Sequence, residues 1–192
     1  MAYLLDIAGS FLISFYVIFI LIQFNSQVKA SSDELLFYNI SQLNAATSCE
    51  ILEHDIYKAG YRVSASDKIL LADSVQLKYY GDIDNNGTRD SVHYYIGSIG
   101  EMFITFNPAD RPLYRKVNGG SPEMVSIVTN FRISYIDSSG IDKIPYADLN
   151  TASKRRKIKG IQVYATVESG EPINCIFQSS ELIRTIFPKN IK

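Results

Sequence analysis

The chain has 192 residues, room for one ordinary domain plus an appendage. Its 19 Lys and Arg against 20 Asp and Glu leave a net charge of −1, a balance that gives no electrostatic reason to expect a nucleic-acid partner. Hydrophobic residues make up 46 %, enough for a core, and 13 Tyr and 10 Phe without any Trp suit β-strands with one wet face.

From Ile7 to Val28 there is no charged residue and no Pro, and Phe11 to Phe24 is nearly all Phe, Ile, Leu, Val and Tyr. About 20 residues at ~1.5 Å each cross a hydrocarbon core of about 30 Å, so residues 1–28 are expected to form a transmembrane helix. Two other readings of the segment compete with a membrane anchor. A buried core helix rarely stays apolar for more than about 14 residues. A cleaved signal peptide is suggested by Val28-Lys29-Ala30, but no Lys or Arg precedes the apolar run, and the run exceeds the usual length. A misassigned start, with a basic leader missing from the sequence, is a further alternative. Flanking charge does not orient the span: the N-terminal side has no Lys or Arg, and Lys29 is offset by Asp33 and Glu34.

Residues 29–60 read as an amphipathic stalk. Leu36, Ile40, Leu43, Ala46, Cys49, Leu52, Ile56 and Ala59 recur at spacings of three or four, and Gly60 is the first helix breaker. Span and stalk are expected to run as one rod of about 80 Å. From Tyr61 the period shifts toward two. Strands are expected at Ile69–Leu71, Val75–Tyr80, Ser91–Ile96, Glu101–Phe106, Leu113–Val117, Val125–Tyr135 and Lys159–Val167, with a final pair within Asn174–Phe187. Turns are marked by Asp84-Asn85-Asn86-Gly87, Asn118-Gly119-Gly120, Ser138-Ser139-Gly140 and Ser169-Gly170, and Tyr146–Ser153 suggests one helical turn. The fold class is α+β: a long N-terminal helix packed on an antiparallel β-rich domain over 61–192.

Chemistry has few footholds. His54 and His93 lack neighbours at ligand spacing, and no nucleophile elbow, phosphate loop, H-E-x-x-H or C-x-x-C is present. Lys154-Arg155-Arg156-Lys157 reads as a solvated turn. Cys49 and Cys175 fit no metal spacing; they are a possible disulfide in an oxidising compartment, or two small buried hydrophobes in a reducing one. One loop stands out. Asp82-Ile83-Asp84-Asn85-Asn86-Gly87-Thr88-Arg89-Asp90 puts oxygens at positions one, three, five and nine and Gly at six, the first part of an EF-hand-type Ca²⁺ loop. Asp82, Asp84, Asn86 and Asp90 are its candidate ligands and Ca²⁺ the only cofactor suggested. The twelfth position, normally a bidentate Glu, is His93. The alternative is a polar hairpin in which Asn86-Gly87 supplies positive φ.

The order of these pieces resembles the type IV pilin-like superfamily, above all the minor pilins and minor pseudopilins of type IV pilus and type II secretion systems. The stalk ends in the acidic–apolar stretch Glu50–Tyr61 closing with Gly60-Tyr61. A D-x-D-x-N-G hairpin follows at Tyr79–Gly87, then Val92-His93-Tyr94-Tyr95. The run Val128–Gly140 follows V-x-x-F-x-I-x-Y-x-D-x-x-G, and Lys189-Asn190 stands near the end. The family's processing junction, a Gly-Phe pair with Glu at the fifth mature position, is missing. With Met1 removed, Asp6 would stand where that Glu stands. The resemblance implies a structural subunit without enzymatic activity, in the inner membrane with its domain in the periplasm. Other pilin-like subunits would be its partners through the N-terminal helix, with Ala8, Gly9, Ser10 and Ser14 as a close-approach face and Asp6 as an assembly contact; the alternative for Asp6 is a place at the aqueous interface that needs no partner. The alternatives are a membrane-tethered envelope binding module unrelated to filaments, and an envelope enzyme with an unrecognised site.

Overall fold

A computed structural model describes residues 2–138 and 143–191. One helix, α1, runs unbroken over Ala2–Tyr57. No breaker interrupts it, so apolar segment and stalk form one rod of about 84 Å at ~1.5 Å per residue. It ends where expected: Gly60 takes φ +77° and donates its N–H to Tyr80 O at 2.7 Å. A Cβ at Gly60 would lie 2.5 Å from Asn190 O, so only glycine lets the C-terminal Lys189-Asn190 pair close onto the end of the helix. Lys68 Nζ donates to the same Asn190 carbonyl, and Lys189 Nζ lies 5.9 Å from the centroid of the Tyr57 ring.

Two antiparallel sheets follow. The first is a five-stranded meander in sequence order: β1 (Ile69–Ala72), β2 (Gln76–Gly81), β3 (Asp90–Ile96), β4 (Arg111–Val117) and β5 (Glu123–Val128). The second has three strands, β6 (Asn130–Ile136), β7 (Gly160–Glu168) and β8 (Ser179–Ile186). Tyr146–Asn150 forms a 3₁₀ turn, and α2 (Ala152–Arg155) follows it. The core brings α1 residues Ala45, Leu52 and Ile56 against Leu77, Tyr79, Val92 and Tyr94 of the first sheet and Ile133, Tyr135, Ile161 and Val163 of the second. Tyr135 stitches the sheets by donating its hydroxyl to Asp73 O at 2.9 Å.

Four expectations are corrected. Val125–Tyr135 is not one strand: at Thr129, whose N–H donates to Thr166 O, the chain leaves the first sheet and enters the second. Glu101–Phe106 is a loop, because the Glu101 carboxylate folds back to accept from Ser98 N–H (2.8 Å) and Tyr114 OH (3.2 Å). The final pair of strands is the single strand β8, preceded by a tight turn in which Ile173 and Ile176 exchange backbone bonds. Asn174 and Cys175 both take positive φ there, as a type I′ turn requires. The stalk buries a different face in its lower half: Ser41, Ala45 and Ser48 face the domain, whereas Leu36, Ile40, Leu43 and Ala46 are exposed. Small side chains let the helix approach closely; from Cys49 to Ala59 the expected apolar face is the buried one. The turn at Ser138-Ser139-Gly140, with the last residues of the Val128–Gly140 run, lies partly outside the described residues.

Candidate functional site

The Asp82–Asp90 loop connects β2 to β3 and rests on the end of α1. Asp82 N–H donates to Tyr61 O (3.1 Å), and Lys58 Nζ donates to Ile83 O. Asp82 is fully buried. Its Oδ2 accepts from Gly87 N–H (3.0 Å) and from Arg62 Nη1 (3.0 Å), while its Oδ1 is buried and accepts no hydrogen bond. Burial pushes the Asp82 carboxyl up, but the Arg62 guanidinium and the Gly87 N–H more than offset it and hold the group below its usual range. Asn85 N–H adds to this without reaching hydrogen-bond geometry. Asp90, also buried, accepts from Ile83 N–H on Oδ2 (3.0 Å) and from Asn118 Nδ2 on Oδ1 (2.7 Å).

Asp82, Asp84 and Asp90 converge: each offers a carboxylate oxygen within 4.8 Å of the others. Asn86 plays another part. It donates Nδ2 to Asp84 Oδ2 (2.7 Å), and its Oδ1 accepts from the Thr88 N–H (2.7 Å) and hydroxyl. Its amide braces the loop. Positive φ falls on Asn85 (62°) and Gly87 (86°) and not on Asn86, which corrects the hairpin reading in detail. His93, at the missing twelfth position, lies in β3 between Lys78 and Lys116 of the flanking strands.

The remaining sequence candidates scatter. Asp6 lies on the exposed N-terminal end of α1, where its carbonyl accepts from Ser10 Oγ (2.7 Å). Cys49 and Cys175 are both free thiols, so the possible disulfide is not formed: Cys49 is buried on α1, and Cys175 is exposed at the tip of its I′ turn. Burial pushes the Cys49 thiol up despite nearby Arg184. His54 is largely exposed, 3.4 Å from Asp55. The basic run is tied down rather than clustered: Arg155 donates to Ile69 O and Leu149 O, Arg156 to Asp67, and Lys154 to Asp148.

Two features escaped the sequence reading. Asp55, buried on α1, accepts from Tyr94 OH (2.7 Å) on β3 and from Arg115 Nε (2.6 Å) on β4. Burial and the Asp55 charge push the Tyr94 phenol well above its usual value, so it stays a donor. A charged residue inside the apolar stripe Leu52-Ile56-Ala59 was the available signal. A cleft of about 430 Å³ also opens between α1, β5 and β7, lined among others by Asn44, Ser48, Asp110 and Glu168. Burial and Glu168 raise the Asp110 carboxyl, and among the described residues the cleft is lined by no His, Cys, Lys or Arg.

What the described residues assemble is thus an oxygen-rich loop at the helix end and an ionic tie that fastens the helix to the first sheet. The long apolar helix packed against antiparallel sheets agrees with a pilin-like arrangement. Comparison with known proteins gives no matching family model, no matching curated relative and no matching solved structure.

Proposed function

We propose that the chain is a non-enzymatic structural or assembly subunit of a type IV pilus or type II secretion pseudopilus. The first part of α1 anchors it in the inner membrane, and the β-rich domain stands in the periplasm. One observation carries this reading: the stalk has two apolar faces. At about 100° per residue, Leu36, Ile40 and Leu43 lie on the side of α1 opposite Ala45, Leu52 and Ile56. The second set is buried on the domain, whereas the first is 43–67 % exposed. A helix that only tethers a domain has no use for an apolar stripe beyond its span. A helix that bundles with like helices does, and burying such a stripe contributes about 25 cal/mol per Å².

The test is site-specific cross-linking in membranes. A Leu43→Cys chain in a Cys49→Ser, Cys175→Ser background is expected to cross-link to other pilin-like chains, and Asp6→Ala to weaken that product if its carboxylate meets a neighbour's amine inside the bundle. A Leu43→Cys chain that forms no adduct with any pilin-like chain sinks the reading. The second reading, a membrane-tethered envelope binding module, is favoured by the convergent carboxylates of the Asp82–Asp90 loop. It predicts a chain that purifies without other pilin-like chains.

A further inference from the structure

We propose that the Asp82–Asp90 loop binds a hard divalent cation of the Ca²⁺ class through Asp82 Oδ1, Asp84 and Asp90, and that the cation locks the loop to the end of α1. The proposal does not rest on the filament reading.

Asp82 carries an unpartnered oxygen. Asp82 is entirely buried, yet only its Oδ2 is satisfied. Buried polar atoms almost always have a partner, and an orphan of this kind calls for an ion or a trapped water. The split is informative. With position one turning one oxygen to the N–H of position six, its other oxygen, Oδ1, is left buried without a partner. Here the pair is Asp82 and Gly87, at 3.0 Å. Position three, Asp84, and position nine, Asp90, bring their carboxylates within 4.8 Å of that group. Ca²⁺ takes oxygen ligands at about 2.3–2.6 Å, so oxygens around one ion are spaced as these are.

Charge balance favours a divalent ion. Three carboxylates crowd the loop, and one guanidinium, Arg62, touches Asp82 from outside at 3.0 Å and Asn85 O at 3.3 Å. Lys58 is spent on the Ile83 carbonyl, and the Arg89 guanidinium lies over the Tyr80 ring at 4.2 Å. Arg62 leaves much of the negative charge uncompensated, and like charges this close raise one another's cost unless a cation enters. The absent bidentate Glu sets the strength. With His93 at position twelve, one strong ligand is missing and water completes the shell. The expected dissociation constant is on the order of 10⁻⁴–10⁻³ M, the range of extracellular modules. Mg²⁺, which demands near-ideal octahedral geometry, is expected to bind more weakly.

The consequence reaches the helix because Asp82 N–H holds Tyr61 O and Lys58 holds Ile83 O. The test uses the full chain in detergent micelles, stripped with chelator and then titrated calorimetrically with CaCl₂ or MgCl₂, with a thermal melt in parallel. One Ca²⁺ site and a melting temperature raised by several degrees at about 5 mM CaCl₂ are expected. Asp84→Ala should abolish both while leaving the circular dichroism spectrum unchanged, since Asp84 is exposed and bonds only within the loop. Asp82→Asn should abolish binding too, and Asp84→Ala keeps the test decisive if Asp82→Asn fails to fold. Absence of heat together with an unmoved melting temperature overturns the proposal. So does Ca²⁺ binding that survives Asp84→Ala unchanged, which would place the ion elsewhere.

Discussion

His93 sits where a positive charge is least welcome. Its cross-strand neighbours are Lys78 on β2 and Lys116 on β4, and its ring lies 4.9 Å from that of Tyr95. Burial first, then the two lysines, push its pKa below the usual value. The sign follows from linkage. The unfolded chain takes up a proton as pH falls through about 6.5, while the folded chain resists until lower pH. Stability is therefore fully present above about pH 6.5 and is lost as pH falls below it. His93→Gln removes the titrating group and keeps a polar side chain of similar reach. Melting temperatures from about pH 8 down to about pH 5 should fall less steeply for the variant than for the parent chain. Parallel curves would show that His93 carries no such linkage. At this scale the carboxylates of the loop were legible because oxygen spacing alone brings Asp82, Asp84 and Asp90 together. The bracing role of Asn86 was not, since nothing in spacing says whether an amide faces the loop centre or its own backbone.

Between elements, the tie that matters most is ionic. α1 meets the second sheet and β5 largely through apolar and small residues, but Asp55 reaches Tyr94 and Arg115 on β3 and β4. Asp55 is 5 % and Arg115 20 % exposed at the side chain. Removing one partner of such a pair leaves the other charge poorly solvated, which typically costs 3–5 kcal/mol. Glu123, 3.5 Å from Arg115 but mostly exposed, offers partial relief. Asp55→Ala is thus expected to cost about 3 kcal/mol, near the lower end. Asp55→Asn, which keeps a hydrogen-bonding oxygen, should cost about 1–2 kcal/mol. Chemical denaturation reads both, and a loss below about 1 kcal/mol for Asp55→Ala would mean that the tie is not a stabilising contact. The long helix and most strands were legible because periodicities of 3.6 and two follow burial on one face. The break at Thr129 was not, because the slip in alternation at Ile127-Val128 and Thr129-Asn130 is short, and β-formers on either side of it fit one long strand as well as two that change sheets. The lower stalk misled for a related reason: two faces of α1 are usable, and the more apolar one is not the face turned to the domain.

For the molecule as a whole, α1 divides into a part that the domain needs and a part that it does not. From Phe11 to Val28 every residue is exposed, and among the described residues the first fully buried position is Ser41, just above the Glu34–Gln178 contact at 3.4 Å. The apolar segment therefore adds nothing to the fold of the β-rich domain. Its 13 Phe, Leu, Ile and Val between Ile7 and Val28 favour a bilayer by about 0.3–0.6 kcal/mol each. That sums to roughly 4–8 kcal/mol before Ser10, Ser14, Gln23, Asn25, Ser26 and Gln27 subtract, on a helix long and apolar enough to cross a membrane. Two truncations separate the parts. A chain beginning at residue 29 is expected to stay monomeric in aqueous buffer without detergent and to melt within a few degrees of the full chain. A chain beginning at residue 46 loses Ser41 and Ala45 from the packed face, exposes the cleft beside Asp110, and should melt clearly lower. If removing residues 1–28 instead unfolds the domain, the segment is a packed structural element in an assembled state and not merely an appendage to it. If both truncations melt alike, the lower stalk contributes no stability, and its close-packed small residues serve only to set the helix against the sheets.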